Sequence, residues 1–214
     1  MTLLRQLQDY VLDTDMALST VLLRGKVFGT RFASSSLQPW IESELEGYPN
    51  TQTIPAYRRR KAVNAGVFVH LDSAASSESS IPAERLPATL REYTDTLVLG
   101  NSVRSLEEIL QSGPGPYKHP WPKTLVKEVA ASIYPNYQCQ SAWKVIPRSM
   151  LEGILSEIRS KLVNVLVAIE KTDPDIAEND QALAEVPATR LNLIVQKVVY
   201  GSDQHQKSAT PAAK

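Results

Sequence analysis

The chain has 214 residues, of which 43% are hydrophobic, and it carries 23 basic and 23 acidic side chains. That apolar share is enough for a sizeable core. The zero net charge excludes a global field drawing the chain onto nucleic acid or an anionic membrane, so any such contact must come from a local patch.

Cys139 is the single cysteine. An intramolecular disulfide and a thiol cluster for zinc are therefore excluded, which fits a reducing compartment. Among the first ten residues Arg5, Gln6, Gln8 and Asp9 interrupt the leucines, so no signal-peptide core is legible. Charged residues interrupt the most apolar segment, 151–169, in the same way. A soluble, cytoplasmic protein is the expectation.

In chain order, Leu4, Leu7, Val11, Leu18 and Leu22 recur at helical spacing and predict a buried stripe. Gly25 and Gly29, four apart, share a face suited to close helix packing or to a ligand's approach. A shorter helix follows, with Ser35 or Ser36 at its start, Trp40, Ile41 and Leu45 as its apolar face, and Gly47 and Pro49 ending it. Residues 57–63 and 67–71 read as two strands of a hairpin turning at Asn64-Ala65-Gly66. Residues 73–80 read as a polar loop. A helix is expected over 82–93, a short strand at 97–99 and a capped helix at 102–111. The four prolines in 113–122 predict an irregular segment.

Beyond it, a helix is expected from Lys123 to Ile133 and an extended run from Tyr137 to Ile146. Ser149 and Glu152 form a capping box. It opens the longest apolar stripe, Leu151, Ile154, Leu155, Ile158, Leu162, Val165, Leu166 and Ile169, the predicted central helix. Residues 173–189 are acidic and read as a linker. The run 191–200 is β-prone, with Leu193, Val195 and Val199 on one strand face, and 201–214 is a polar tail expected to be disordered.

Catalytic and metal-binding motifs are not legible. His70, His119 and His205 are scattered, with no paired spacing. Gly113-Pro114-Gly115-Pro116 lacks the N–H groups of a phosphate loop. Cys139 reads as buried packing in preference to a nucleophile. Glu42, Glu44 and Glu46 read as a solvated row in preference to an acid/base pair. Trp40, Trp121 and Trp143 read as core anchors whose indole N–H groups need partners, or as interface residues. No cofactor is called for.

One charge concentration stands out, Arg58-Arg59-Arg60-Lys61 beside Tyr57. On a strand Arg58 and Arg60 would share one face, and Arg59 and Lys61 the other. The run reads as an edge strand blunted by charge, or as a contact for nucleic acid or nucleotide using Tyr57, Arg58, Arg59, Arg60 and Lys61.

Several segments resemble the AbiTii domain of bacterial abortive-infection proteins. They are Trp40-Ile41-Glu42 with Glu44-Leu45-Glu46-Gly47-Tyr48-Pro49, then Ile54-Pro55-Ala56-Tyr57-Arg58, then Pro120-Trp121-Pro122. Ser141-Ala142-Trp143 follows, with Ile146, Arg148 and Leu151-Glu152-Gly153-Ile154-Leu155 through Arg159. The order agrees with the family, and the resemblance spans 3–171. It implies a role in phage defence and supplies no catalytic residue.

The expectation is an α+β fold: N-terminal helices, a small antiparallel sheet and a long amphipathic core helix. Residues 1–172 would form the globular domain, 173–189 a linker, 190–200 a C-terminal strand and 201–214 the tail. The expected function is a phage-defence module acting by protein contact without catalysis. Its partner would be a second copy or another defence protein, with no membrane involved. The alternative is an effector enzyme acting on nucleic acid or nucleotides through 58–61. Leu191, Leu193, Val195 and Val199 are candidates for oligomerisation, if the last strand adds to a neighbour instead of pairing in its own chain.

Overall fold

The computed structural model describes residues 1–31, 36–172 and 174–201. Its chain divides into two compact units that interleave along the sequence. Unit 1 comprises 1–56, 100–108 and 153–214, and unit 2 comprises 57–99 and 109–152. The polar tail from 202 onward, with His205, lies outside the described residues. The expected α+β class holds: helices dominate, α4 (Ala88–Asp95), α5 (Val103–Gln111) and α8 (Asp180–Glu185) among them, and the strands form two small antiparallel sheets.

Unit 1 is helical. The single opening stripe resolves into two helices, α1 (Leu3–Leu12) and α2 (Leu18–Arg31). The break falls at Asp13, whose carboxylate accepts the Asp15 N–H at 2.9 Å and supplies a turn that periodicity does not report. Arg159 closes this corner, donating to the carbonyls of Val11, Asp13 and Met16 at 2.7–2.8 Å. A cation at a helix C-terminus satisfies carbonyls that have no partner within the helix.

α3 (Leu37–Glu46) packs on α2. A Cβ on Gly25 would lie 3.2 Å from Ile41 Cδ1, so the two glycines serve helix packing. Gly47 ends α3 at φ +92°, where a Cβ would meet the Gly100 carbonyl oxygen at 2.8 Å. Both the backbone angle and the space require glycine there. The Tyr48 N–H then donates to the Gly100 carbonyl at 2.8 Å.

The predicted central helix is α7 (Arg148–Glu170). Ile154, Ile158, Leu162, Val165, Leu166 and Ile169 are all buried. The acidic stretch expected as a linker is packed instead. It forms a short 3-10 turn, Pro174–Ala177, and a helix, Asp180–Glu185. Ile176 is buried, and the Thr2 hydroxyl and Leu3 N–H bond to the Ala177 carbonyl and the Asp180 carboxylate at 2.9 Å.

Unit 2 holds the strands, β1 (Arg59–Lys61), β2 (Val63–His70), β3 (Ser76–Ser80), β4 (Thr96–Val98), β5 (Tyr117–Pro120) and β6 (Tyr137–Ile146). β1 pairs with β4, and the larger sheet has the order β3-β2-β6-β5, every pair antiparallel. The expected hairpin turn at Asn64-Ala65-Gly66 is not a turn. All three residues lie inside β2, which pairs with β6 on one side and β3 on the other. Gly66 is there for proximity: a Cβ would meet the Ser141 carbonyl oxygen at 2.6 Å.

The stretch expected as a polar loop supplies β3, an exposed edge strand. The proline-rich segment supplies the opposite edge, β5, with Pro120 at its last position, where a missing N–H is tolerated. Phe68, Leu86, Trp121, Val126, Val129 and Ile133 build the core between the sheet and helix α6 (Lys123–Val129), and Phe68 meets Tyr134 edge-on at 4.8 Å.

Two buried polar groups brace this unit. The Asn64 side chain donates to the Thr94 carbonyl at 3.0 Å and accepts the Trp121 indole N–H at 3.2 Å. The Lys144 ammonium donates to the carbonyls of Tyr93 and Thr96, each at 2.6 Å, and lies 4.2 Å from the Tyr93 ring centre. The Trp143 indole N–H is buried without a hydrogen-bond partner among the described residues, contrary to the expectation for the tryptophans.

Burial, and secondarily the Lys144 charge, lowers the pKa of His119 below its ordinary 6.5. The unfolded chain therefore binds a proton here more readily than the folded one, and stability falls as pH drops through 6.5. Glutamine at His119 is expected to flatten the acid side of the stability profile between pH 7 and 5, read by urea midpoints. An unchanged slope would remove His119 as its source.

Candidate functional site

The basic run divides in the structure. The strand begins at Arg59, two residues later than the sequence reading placed it, and residues 56–58 form a 3-10 turn. Tyr57 and Arg58 are buried. The Arg58 guanidinium donates to the Leu99 carbonyl at 2.9 Å. Neither is available as a surface contact. Arg59 and Lys61 are exposed and Arg60 is half-buried, so the surface part is a short basic edge beside β4.

The C-terminal run corrects the sequence reading more thoroughly. Residues expected as a strand form helix α9 (Ala188–Val195) followed by a π-helical turn, Gln196–Tyr200. Pro187 occupies the N-cap, and Leu191, Val195 and Val199 lie four apart, so a helix buries all three. Lys161 donates to the Val198 carbonyl at 3.1 Å. Of the four oligomerisation candidates only Leu193 is exposed, and the other three belong to the interior of unit 1.

The glutamate row is also not uniformly solvated. Glu42 and Glu46 face Lys26, at 3.0 and 4.0 Å. The hydrogen bond from Lys26 is the main reason the Glu42 carboxyl sits below its usual pKa. Glu44 is buried, accepting the Tyr48 hydroxyl at 2.6 Å. Burial first, and the Glu44 charge second, raise the pKa of Tyr200. Glu44 and Tyr48 therefore belong to the packed interior of unit 1.

The surface of unit 1 includes two grooves with mainly apolar walls. α1 runs between two shallow grooves. One, about 190 Å³, is shared with α2 and lined by Leu3, Leu7, Val27 and Phe28, with Arg24 seated 3.8 Å from the Tyr10 ring centre. The other, about 240 Å³, is shared with α7 and lined by Leu12, Val163, Leu166 and Val167, with Arg5, Gln8 and Asp9 as its polar side. Leu12 is 66% exposed, Leu23 56% and Val27 57%, and Leu23 and Val27 share one face of α2. Sequence periodicity missed this surface because Leu23 and Val27 fall off the buried stripe. Their off-stripe position is the signal that could have found it.

Among the described residues no group of three or more His, Cys, Asp or Glu side chains is arranged to hold a metal ion, and no helix is long and apolar enough to cross a membrane. No curated protein and no solved structure matches the chain. One family model, described as AbiTii, matches residues 2–192, well beyond the 3–171 carried by the sequence motifs and far into α9. With that match over most of its length, the chain belongs to the AbiTii family, which links it to abortive infection and anti-phage defence.

Proposed function

We propose that the chain acts in abortive infection as a non-enzymatic module working through protein contact, with the outward face around α1 as the contact surface. The observation carrying this reading is the exposure of Leu12, Leu23 and Val27 beside two apolar grooves. Large apolar side chains gathered beside grooves favour a protein partner, because docking removes their surface from water at roughly 25 cal/mol per Å². The partner is a second copy or another defence protein.

Aspartate at Leu12 and at Val27 places charge on this face without entering the core. The double variant should keep its melting temperature within a few degrees, since exposed substitutions cost about 0.5 kcal/mol or less. It should lose at least tenfold of any protection in a phage-plating assay. Full protection by a folded variant would end the proposal. Light scattering then separates the partners: a fall in mass identifies a second copy, and an unchanged mass identifies a different protein.

A second reading is an enzyme acting on nucleic acid or nucleotides along the basic edge, favoured by the exposure of Arg59 and Lys61. Serine at both should flatten the salt dependence of RNA or DNA binding by up to about one unit for each phosphate no longer neutralised. Unchanged affinity would exclude the edge as the binding surface. Turnover of RNA, DNA or nucleotide by pure protein would favour the enzyme.

A further inference from the structure

Unit 2 carries a groove of its own, about 500 Å³, between β6 and α6. It arises because β5 pairs with β6 only from Trp143 to Ile146. From Ala142 back to Gln138 the flank of β6 opposite β2 faces α6, and the register shift opposite Val67 and Phe68 leaves Gln140 as an extra residue. Trp121, Val126 and Cys139, all buried, contribute apolar lining. Lys123 and Lys127, one helical turn apart on α6 and both exposed, bring the groove's two charges. Among the described residues no carboxylate lines it.

We propose that this groove is a binding site for a small organic anion with an apolar body, a carboxylate or a phosphate ester. The volume falls within the roughly 300–1,000 Å³ usual for small-molecule sites, and the lining follows their pattern of apolar walls with a few placed polar groups. The charge is one-signed, so an anion gains at two ammonium groups and meets no opposing carboxylate.

The occupant is small rather than an added peptide strand. The Cys139 N–H already donates to the Ala130 carbonyl at 2.8 Å, and the Ala142 carbonyl already accepts from the Trp121 N–H at 2.9 Å. With these two main-chain groups engaged, the flank lacks a free run for strand addition, and recognition falls mainly to side chains. Two lysines are also too few for a polyanion, whose affinity rests on neutralising many phosphates.

Full-length protein is titrated with 1-naphthyl phosphate, 1-naphthoate and the weakly acidic 1-naphthol, and binding is followed by calorimetry. Either anion should bind saturably and at least fivefold more tightly than naphthol. Tighter binding of the phosphate identifies a phosphate ester as the ligand class, and equal or tighter binding of naphthoate identifies a carboxylate.

Serine at both Lys123 and Lys127 should weaken anion binding at least tenfold and leave naphthol unaffected. Phenylalanine at Ser141, which lines the groove, should block all three probes with both lysines intact. Anions that show no saturable binding, or that bind equally well without the lysines, would overturn the proposal.

Discussion

Alanine at Arg58 is expected to cost about 3–5 kcal/mol of folding stability, the largest single effect anticipated in this chain. The guanidinium is fully buried and donates to the Leu99 carbonyl at 2.9 Å, at the point where the Leu99 N–H returns a bond to the Arg58 carbonyl at 3.1 Å. Removing the side chain orphans a buried carbonyl, at about 1–3 kcal/mol. It also leaves a cavity the size of a long side chain, for about 2 kcal/mol more. Serine at Arg59 and Lys61 should together cost under about 1 kcal/mol, because both are exposed.

Urea denaturation separates the two sets, and the contrast matters for any binding experiment. Replacing all four basic residues at once would confuse unfolding with weakened binding. An Arg58 variant as stable as the parent would mean the guanidinium is not held in the interior.

Alanine at Gly66 should cost about 2–3 kcal/mol. The new methyl would lie 2.6 Å from the Ser141 carbonyl oxygen and 3.2 Å from Ile81 Cδ1. The first neighbour is backbone in the partner strand and cannot rotate away, so β2 and β6 must part in the middle of their pairing. Alanine's lower conformational cost in a strand returns only about 0.5–1 kcal/mol. Overpacking against backbone that cannot move aside, at or above the ~3 kcal/mol top of the usual range, therefore outweighs it. For a chain of this length each kcal/mol moves the melting temperature by about 2–4 °C. A decrease of roughly 4–12 °C is expected by calorimetry, and no decrease would show that the strands have room to spare.

Where one physical signal dominated, the sequence was legible. α7 and β6 appear almost where the pattern placed them, because a five-turn stripe ending before Pro174 and a ten-residue β-prone run have few alternatives. The failures share a cause, since a local pattern served two masters. Glycine at 66 fits a turn and also fits strands in close contact, and only the distance to Ser141 decides. The spacing of Leu191, Val195 and Val199 satisfies a strand through its alternate residues and a helix through its fourth residues. Pro187 at the N-cap and burial in unit 1 favour the helix.

The basic run needed the strand to begin at Tyr57, and a 3-10 turn moved its start to Arg59. Of the candidate surfaces, only the exposed half of the basic run was visible in advance. The groove of unit 2 joins residues from 120–130 to residues from 138–142, and no periodicity reports that meeting.

The interleaving of the two units sets an order of events during synthesis. All of unit 2 has been made once Glu152 is joined, whereas unit 1 still lacks α7 beyond that point and the helix that carries Leu191 and Val195. Val199, the last buried residue of unit 1 among those described, follows 47 residues after Glu152, about 2–9 s at ~5–20 residues per second. Through that interval the apolar faces of α1 and α2 await their partners, while unit 2 has every strand it needs. A ribosome stalled shortly after 152 has emerged should hold a chain whose 57–99 and 109–152 segments resist protease and whose first 56 residues are cut.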